Sequence, residues 1–152
     1  TPAVVAALRD LIAADAVPDA GSQALASRLD AELAKKRPDL TDILLAAARL
    51  RGDGATLPKS LVAATVRAGC ARLAKDYPGA SIELRIPPWA AAQIGFEQGP
   101  RHTRGTPPNV VEMAGAVFID LATGLLDWQT ALPQLNISGV HAGQAARAFP
   151  LL

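Results

Sequence analysis

The chain stops reading as helix at Ser81-Ile82-Glu83-Leu84-Arg85-Ile86-Pro87-Pro88. Ile82, Leu84 and Ile86 fall on one side of an extended backbone, and Glu83 and Arg85 on the other. That alternation predicts a strand with one buried and one wet face. The two prolines end it, because neither can donate an N–H to a ladder. Downstream, Ala90 to Glu97 reads as a weaker second strand, and Gln98 to Pro108 as a Gly/Pro-rich loop. Asn109 to Met113 is a third strand. Ala116 to Thr123 is a short helix with Val117, Phe118 and Leu121 inward and Gly124 just past its end. Asp127 is placed to cap a helix over Trp128 to Leu132. Leu135 to Val140 is a fourth strand, and Gly143 to Phe149 a last helix closed by Pro150.

Upstream, residues 1–76 carry helical spacing throughout. Thr1 is a cap with Pro2 at the first helical position, and Val4, Val5, Leu8, Leu11 and Ile12 share a face. Val17-Pro18-Asp19 ends that helix. Ser22 is expected to cap a second helix carrying Leu25, Leu29 and Leu33. Lys35, Lys36 and Arg37 then suit its negative end. A third helix starts at Asp39 or Thr41 and ends at Arg51-Gly52-Asp53-Gly54. The fourth runs from near Thr56 or Pro58 to Asp76, with Leu61, Val62, Val66, Gly69, Cys70 and Leu73 on its apolar side. This order predicts an α+β protein: a twisted sheet of four to five strands, covered by helices on one face. Residues 1–54 read as an N-terminal helical extension and 55–152 as the main domain.

Composition narrows the function. The 152 residues carry a net charge of +1, half are hydrophobic, and only 4% are aromatic. A chain so apolar and so weakly charged folds rather than staying disordered. It has no basic excess for general nucleic-acid binding. One cysteine, Cys70, supports neither a disulfide framework nor a thiolate zinc site, and its place on an apolar helix face marks it as inert core. The two histidines, His102 and His141, show no HxH or HExxH spacing, so no metal is expected. GxSxG, GxGxxG and GxxxxGK[ST] are all missing. The longest apolar run, Ile43 to Ala48, falls far short of the ~20 residues that span a bilayer. No targeting pattern precedes Ala14, and a cytoplasmic location is the expectation.

Two features remain. Arg101, His102 and Arg104 stand together in the long loop, a grouping able to bind a carboxylate or phosphate. Equally, they can pair with Glu97, Glu112 or a carbonyl and simply pin the loop. Trp89, Phe96, Phe118 and Trp128 carry most of the large aromatic area, suited either to a packed core or to an apolar cavity.

The run Gly99-Pro100-Arg101-His102-Thr103-Arg104-Gly105-Thr106-Pro107-Pro108-Asn109-Val110-Val111-Glu112 closely resembles a signature of actinobacterial sterol-carrier-like proteins. Phe118-Ile-Asp-Leu-Ala-Thr-Gly124 resembles the helix end of the wider sterol carrier protein 2 superfamily. Trp128 to Leu132 occupies the place of its short helix, Leu135-Asn-Ile-Ser-Gly139 resembles its later strand, and Gly143 to Leu152 its closing helix and terminal leucine. The resemblance covers about residues 57–152. It implies a sheet and helices enclosing an apolar groove, and carriage of fatty acids, acyl-CoA esters, sterols or other lipids without chemistry. Some superfamily members serve as accessory domains of larger enzymes. The first 54 residues have no counterpart there, and the superfamily's sheet has five strands where four are found here.

The expected function is therefore non-catalytic binding of an apolar ligand, without a cofactor. Val117, Phe118, Leu121, Leu126 and Trp128 would line the groove, with Ile82, Leu84 and Ile86 behind them and Trp89 alongside. Arg101, His102 and Arg104 would hold an anionic head at its mouth. The alternative is a protein-interaction module whose N-terminal helices bind a partner or a second copy, with Leu25, Leu29 and Leu33 exposed until they do. An enzyme is not expected; His102 as a base oriented by Glu112 is the one pairing to name.

Overall fold

Thr1 caps helix α1 (Pro2–Ile12): its hydroxyl accepts the Val4 N–H at 3.4 Å, and Pro2 takes the first helical position. The structure, a computed structural model, describes residues 1–14, 19–52, 54–96 and 108–152. Helix α2 (Ala20–Leu33) starts earlier than its sequence suggests. Asp19, not Ser22, is the cap, and its carboxylate accepts the Ser22 N–H at 2.7 Å. A carboxylate is both an acceptor and a favourable charge at a helix start, so it takes the role from a hydroxyl three residues on. That same N–H holds the Asp19 carboxyl below its ordinary pKa.

Helix α3 (Thr41–Arg51) is introduced by Asp39, which accepts from the Thr41 N–H at 3.0 Å and from its hydroxyl at 2.6 Å. It ends at Gly52, whose φ of +94° is a left-handed conformation that glycine adopts freely. Helix α4 (Lys59–Asp76) follows Pro58.

The strands are β1 (Ile82–Ile86), β2 (Ala90–Ile94), β3 (Asn109–Glu112) and β4 (Asn136–Ser138). They form one sheet in the order β2-β1-β3-β4, with β1 and β3 parallel and the outer pairs antiparallel. Register puts Ala92, Leu84, Val111 and Ile137 in one row across the sheet. The first three are buried, while Ile137, on the edge strand, is 37% exposed. The opposite face carries Glu83, Arg85, Ala91 and Gln93, as the alternation predicts. Helix α4 packs on β2, and a 3-10 helix over Ala142–Ala148 packs on β3 and β4. Helix α5 (Gly115–Thr123) packs on α4, and α6 (Trp128–Ala131) on α5. The architecture is thus the expected α+β arrangement, with four strands among the described residues.

The last helix is 3-10 rather than α. Its seven residues are pinned at one end by the His141 N–H on Asn109 Oδ1 (2.8 Å). At the other end the Leu151 N–H holds the Ala122 carbonyl (2.8 Å). A 3-10 coil rises further per residue, and so spans fixed ends with fewer residues.

Two apolar clusters fill the interior. The larger lies between the sheet and helices α4 and α5; the smaller joins α1, α2 and α3. Helix α3 serves both: Leu45 and Ala48 belong to the sheet-side cluster, and Ile43, Leu44 and Ala47 to the other. Leu61 of α4 is buried in the N-terminal cluster. Polar bonds cross the same junction. Arg49 Nη1 donates to the Thr123 carbonyl at 2.6 Å, and the Gly54 N–H to Asp120 Oδ1 at 2.7 Å. Leu25 and Leu29, expected to await a partner, are 5% and 0% exposed within the chain's own cluster, and Leu33 is half-buried.

Candidate functional site

Helix α5 ends at Gly124, whose φ of +80° turns the chain sharply, and the Leu126 N–H then returns to the Asp120 carbonyl at 3.1 Å. Asp127 caps α6 by accepting the Thr130 N–H at 2.8 Å. That bond keeps its carboxyl below the ordinary pKa, hence anionic at neutral pH. The cap sets Trp128 at the start of α6, facing Phe149 with ring centroids 6.1 Å apart. Phe149 in turn meets Phe118 edge-on at 5.9 Å. Two large rings standing beside the small Ala146 leave space unfilled. The result is a depression of about 200 Å³ lined by Leu121, Leu126, Asp127, Trp128, Ala146 and Phe149, with Gly124 and Pro150 at one wall.

Of the residues expected to line a groove, Leu121, Leu126 and Trp128 meet here. Phe118 stands one layer behind, fully buried, with Val117 8% exposed. Ile82, Leu84 and Ile86 are each 0% exposed and form the floor of the sheet-side cluster. Trp89 lies apart: its indole packs over Gly115 at the start of α5, beside Val62. Gly115 and Thr123 stand eight positions apart, about 12 Å along a helix. Ala146, Phe149 and Pro150 carried no signal in the sequence beyond helix termination.

Arg101, His102 and Arg104 lie outside the described residues, as does Glu97. Their loop leaves the described structure after Phe96, whose ring lies 5.1 Å from Tyr77 and 4.8 Å beneath the Arg147 guanidinium. Arg147 adjoins Ala146 in the chain. Glu112, named as a partner for His102, is half-buried in β3. It borders a broader, open depression of about 480 Å³ that also touches Pro87, Met113, Pro133, Gln134 and Asn136.

The described residues hold no cluster of three metal-ligating side chains. Burial pushes the Cys70 thiol up to about 12, so it carries no thiolate at neutral pH. No described helix is long and apolar enough to cross a membrane.

An open mixed sheet backed by helices, with an apolar recess between α5, α6 and the C-terminal segment, defines a small α+β domain. Residues 58–151 match the family model described as bacterial SCP ortholog, and the chain belongs to that sterol-carrier-like family. No curated protein matches it.

Proposed function

We propose that the protein binds and carries an apolar ligand, without catalysis, in the recess between α5, α6 and the C-terminal segment. The observation that carries this reading is the Trp128–Phe149 pair, which holds an apolar depression open beside Leu121 and Leu126 in a member of a sterol-carrier-like family. Such families typically act as carriers rather than catalysts. Lipids with one or more long chains are the ligand class. Arg101, His102 and Arg104 supply positive charge for an acidic head group, and Arg147, next to Ala146 in the chain, lies over the Phe96 ring.

The test is equilibrium binding of a fluorescent long-chain carboxylate to delipidated protein. A saturable, near-stoichiometric site is expected. Replacing Arg101 or Arg104 by Ala is expected to weaken acidic ligands roughly tenfold, since one charge-assisted contact is worth about 1.5–3 kcal/mol. An equal fall in melting temperature without any change in affinity would assign the loop to structure instead.

The reading of the N-terminal helices as a surface for a protein partner draws no support from their leucines. Leu25 and Leu29 are spent on internal packing.

A further inference from the structure

Behind the Gly124 wall of the recess stands a cation from outside the matched region, Arg49, which is not itself among the residues lining the recess. A Cβ built on Gly124 would lie 3.3 Å from Arg49 Nη1 and 3.6 Å from Pro150 Cβ. Gly124 and Pro150 both line the recess. Arg49, in α3, is exposed. Its Nη1 donates to the Thr123 carbonyl at 2.6 Å, and among the described residues the guanidinium has no other partner. A guanidinium carries five N–H donors in a planar fork, so most of its capacity is unused, while the Thr123 bond fixes its position.

The charge on the lining itself has the opposite sign. Asp127 is the only charged residue that lines the recess among the described residues, and the Thr130 N–H keeps it anionic. An acidic head group is repelled from the Asp127 side and drawn to the Gly124 side. The volume also selects. About 200 Å³ lies below the roughly 300–1,000 Å³ of pockets that engulf a drug-sized ligand. A depression of that size has room for part of one alkyl chain.

We infer that Arg49, supplied by the N-terminal helices, is a further head-group contact on the Gly124 side of the recess, added to the charge of Arg101 and Arg104, and raises the preference for single-chain carboxylates over neutral lipids of the same chain. This rests on the carrier reading above. It gives the N-terminal helices a part in specificity, since no residue of the matched segment 58–151 contributes that cation to the Gly124 wall among the described residues.

The experiment titrates the full chain and its Arg49→Ala and Arg49→Lys variants with palmitate and with hexadecanol, with melting temperature followed in parallel. The wild type is expected to prefer palmitate at least tenfold. Arg49→Ala is expected to lower that preference about tenfold while keeping its affinity for hexadecanol, and Arg49→Lys to lower it less, because an ammonium retains the charge without the fork. Losing the Thr123 bond alone would lower both affinities together, so an unchanged preference in Arg49→Ala overturns the assignment. Preference lost only when Arg101 and Arg104 are replaced also overturns it, and moves the anchor to the loop. Failure of both probes to bind wild type overturns the carrier reading itself, and this inference with it.

Discussion

Deletion of residues 1–54 is expected to abolish cooperative unfolding of what remains, not to release a stable sterol-carrier-like domain. Helix α3 buries Ile43, Leu44, Leu45, Ala47 and Ala48. Leu45 and Ala48 pack in the sheet-side cluster, and Leu61, 1% exposed, is covered by the N-terminal helices. Each fully buried leucine contributes about 1.5–3 kcal/mol relative to exposure. Stripping Leu45 away and baring Leu61 alone therefore removes about 3–6 kcal/mol, comparable with the ~5–15 kcal/mol total of a typical domain. The bonds from Arg49 to Thr123 and from Gly54 to Asp120 go as well, freeing the C-terminal turn of α5. Circular dichroism against temperature reads the outcome. A sharp transition in 55–152 near that of the full chain would show that the extension is an independent appendage.

Phe118→Ala is expected to lower stability by about 3–5 kcal/mol, as a cavity-forming aromatic truncation does. In a chain of this length, that is a fall in melting temperature of about 6–20 °C. Phe118 is 0% exposed and meets Phe149 edge-on. It also fills the space left by Gly69, where an added Cβ would lie 2.8 Å from the Phe118 ring. Phe118→Leu retains most of the volume and is expected to cost much less. Differential scanning calorimetry distinguishes them; a small, equal shift for both would show that the ring is not a packing centre.

Much of the architecture is legible in local chemistry. Ser81 to Ile86 alternates because one sheet face is wet, and Pro58, Gly52 and Gly124 each mark a helix boundary that the structure keeps. The strand order is another matter. The pairing of β1 with β3 in parallel depends on contacts between segments far apart in the chain, which periodicity does not encode. The Asp19 cap was masked by Ser22, a residue of equal capping preference three positions on. In the site, Leu121, Leu126 and Trp128 were readable as apolar residues near a turn. Phe149 and Ala146 were not, because a terminal Phe-Pro reads as a helix stop. Arg49 was hidden for a stronger reason. Its contact with Gly124 and Thr123 crosses more than seventy positions, and nothing in the local pattern at the end of α3 points to it.

The most direct test of the carrier account uses the two indoles. Trp128 lines the recess, whereas Trp89 packs at the far end of α5. In a Trp89→Phe variant, Trp128 is the sole indole, and a fatty acid brominated along its chain quenches its fluorescence on contact. The account predicts saturable quenching of Trp128 at near-stoichiometric ligand, and little quenching of Trp89 in the converse Trp128→Phe variant. Binding that leaves Trp128 unquenched, or no binding at all, would contradict it.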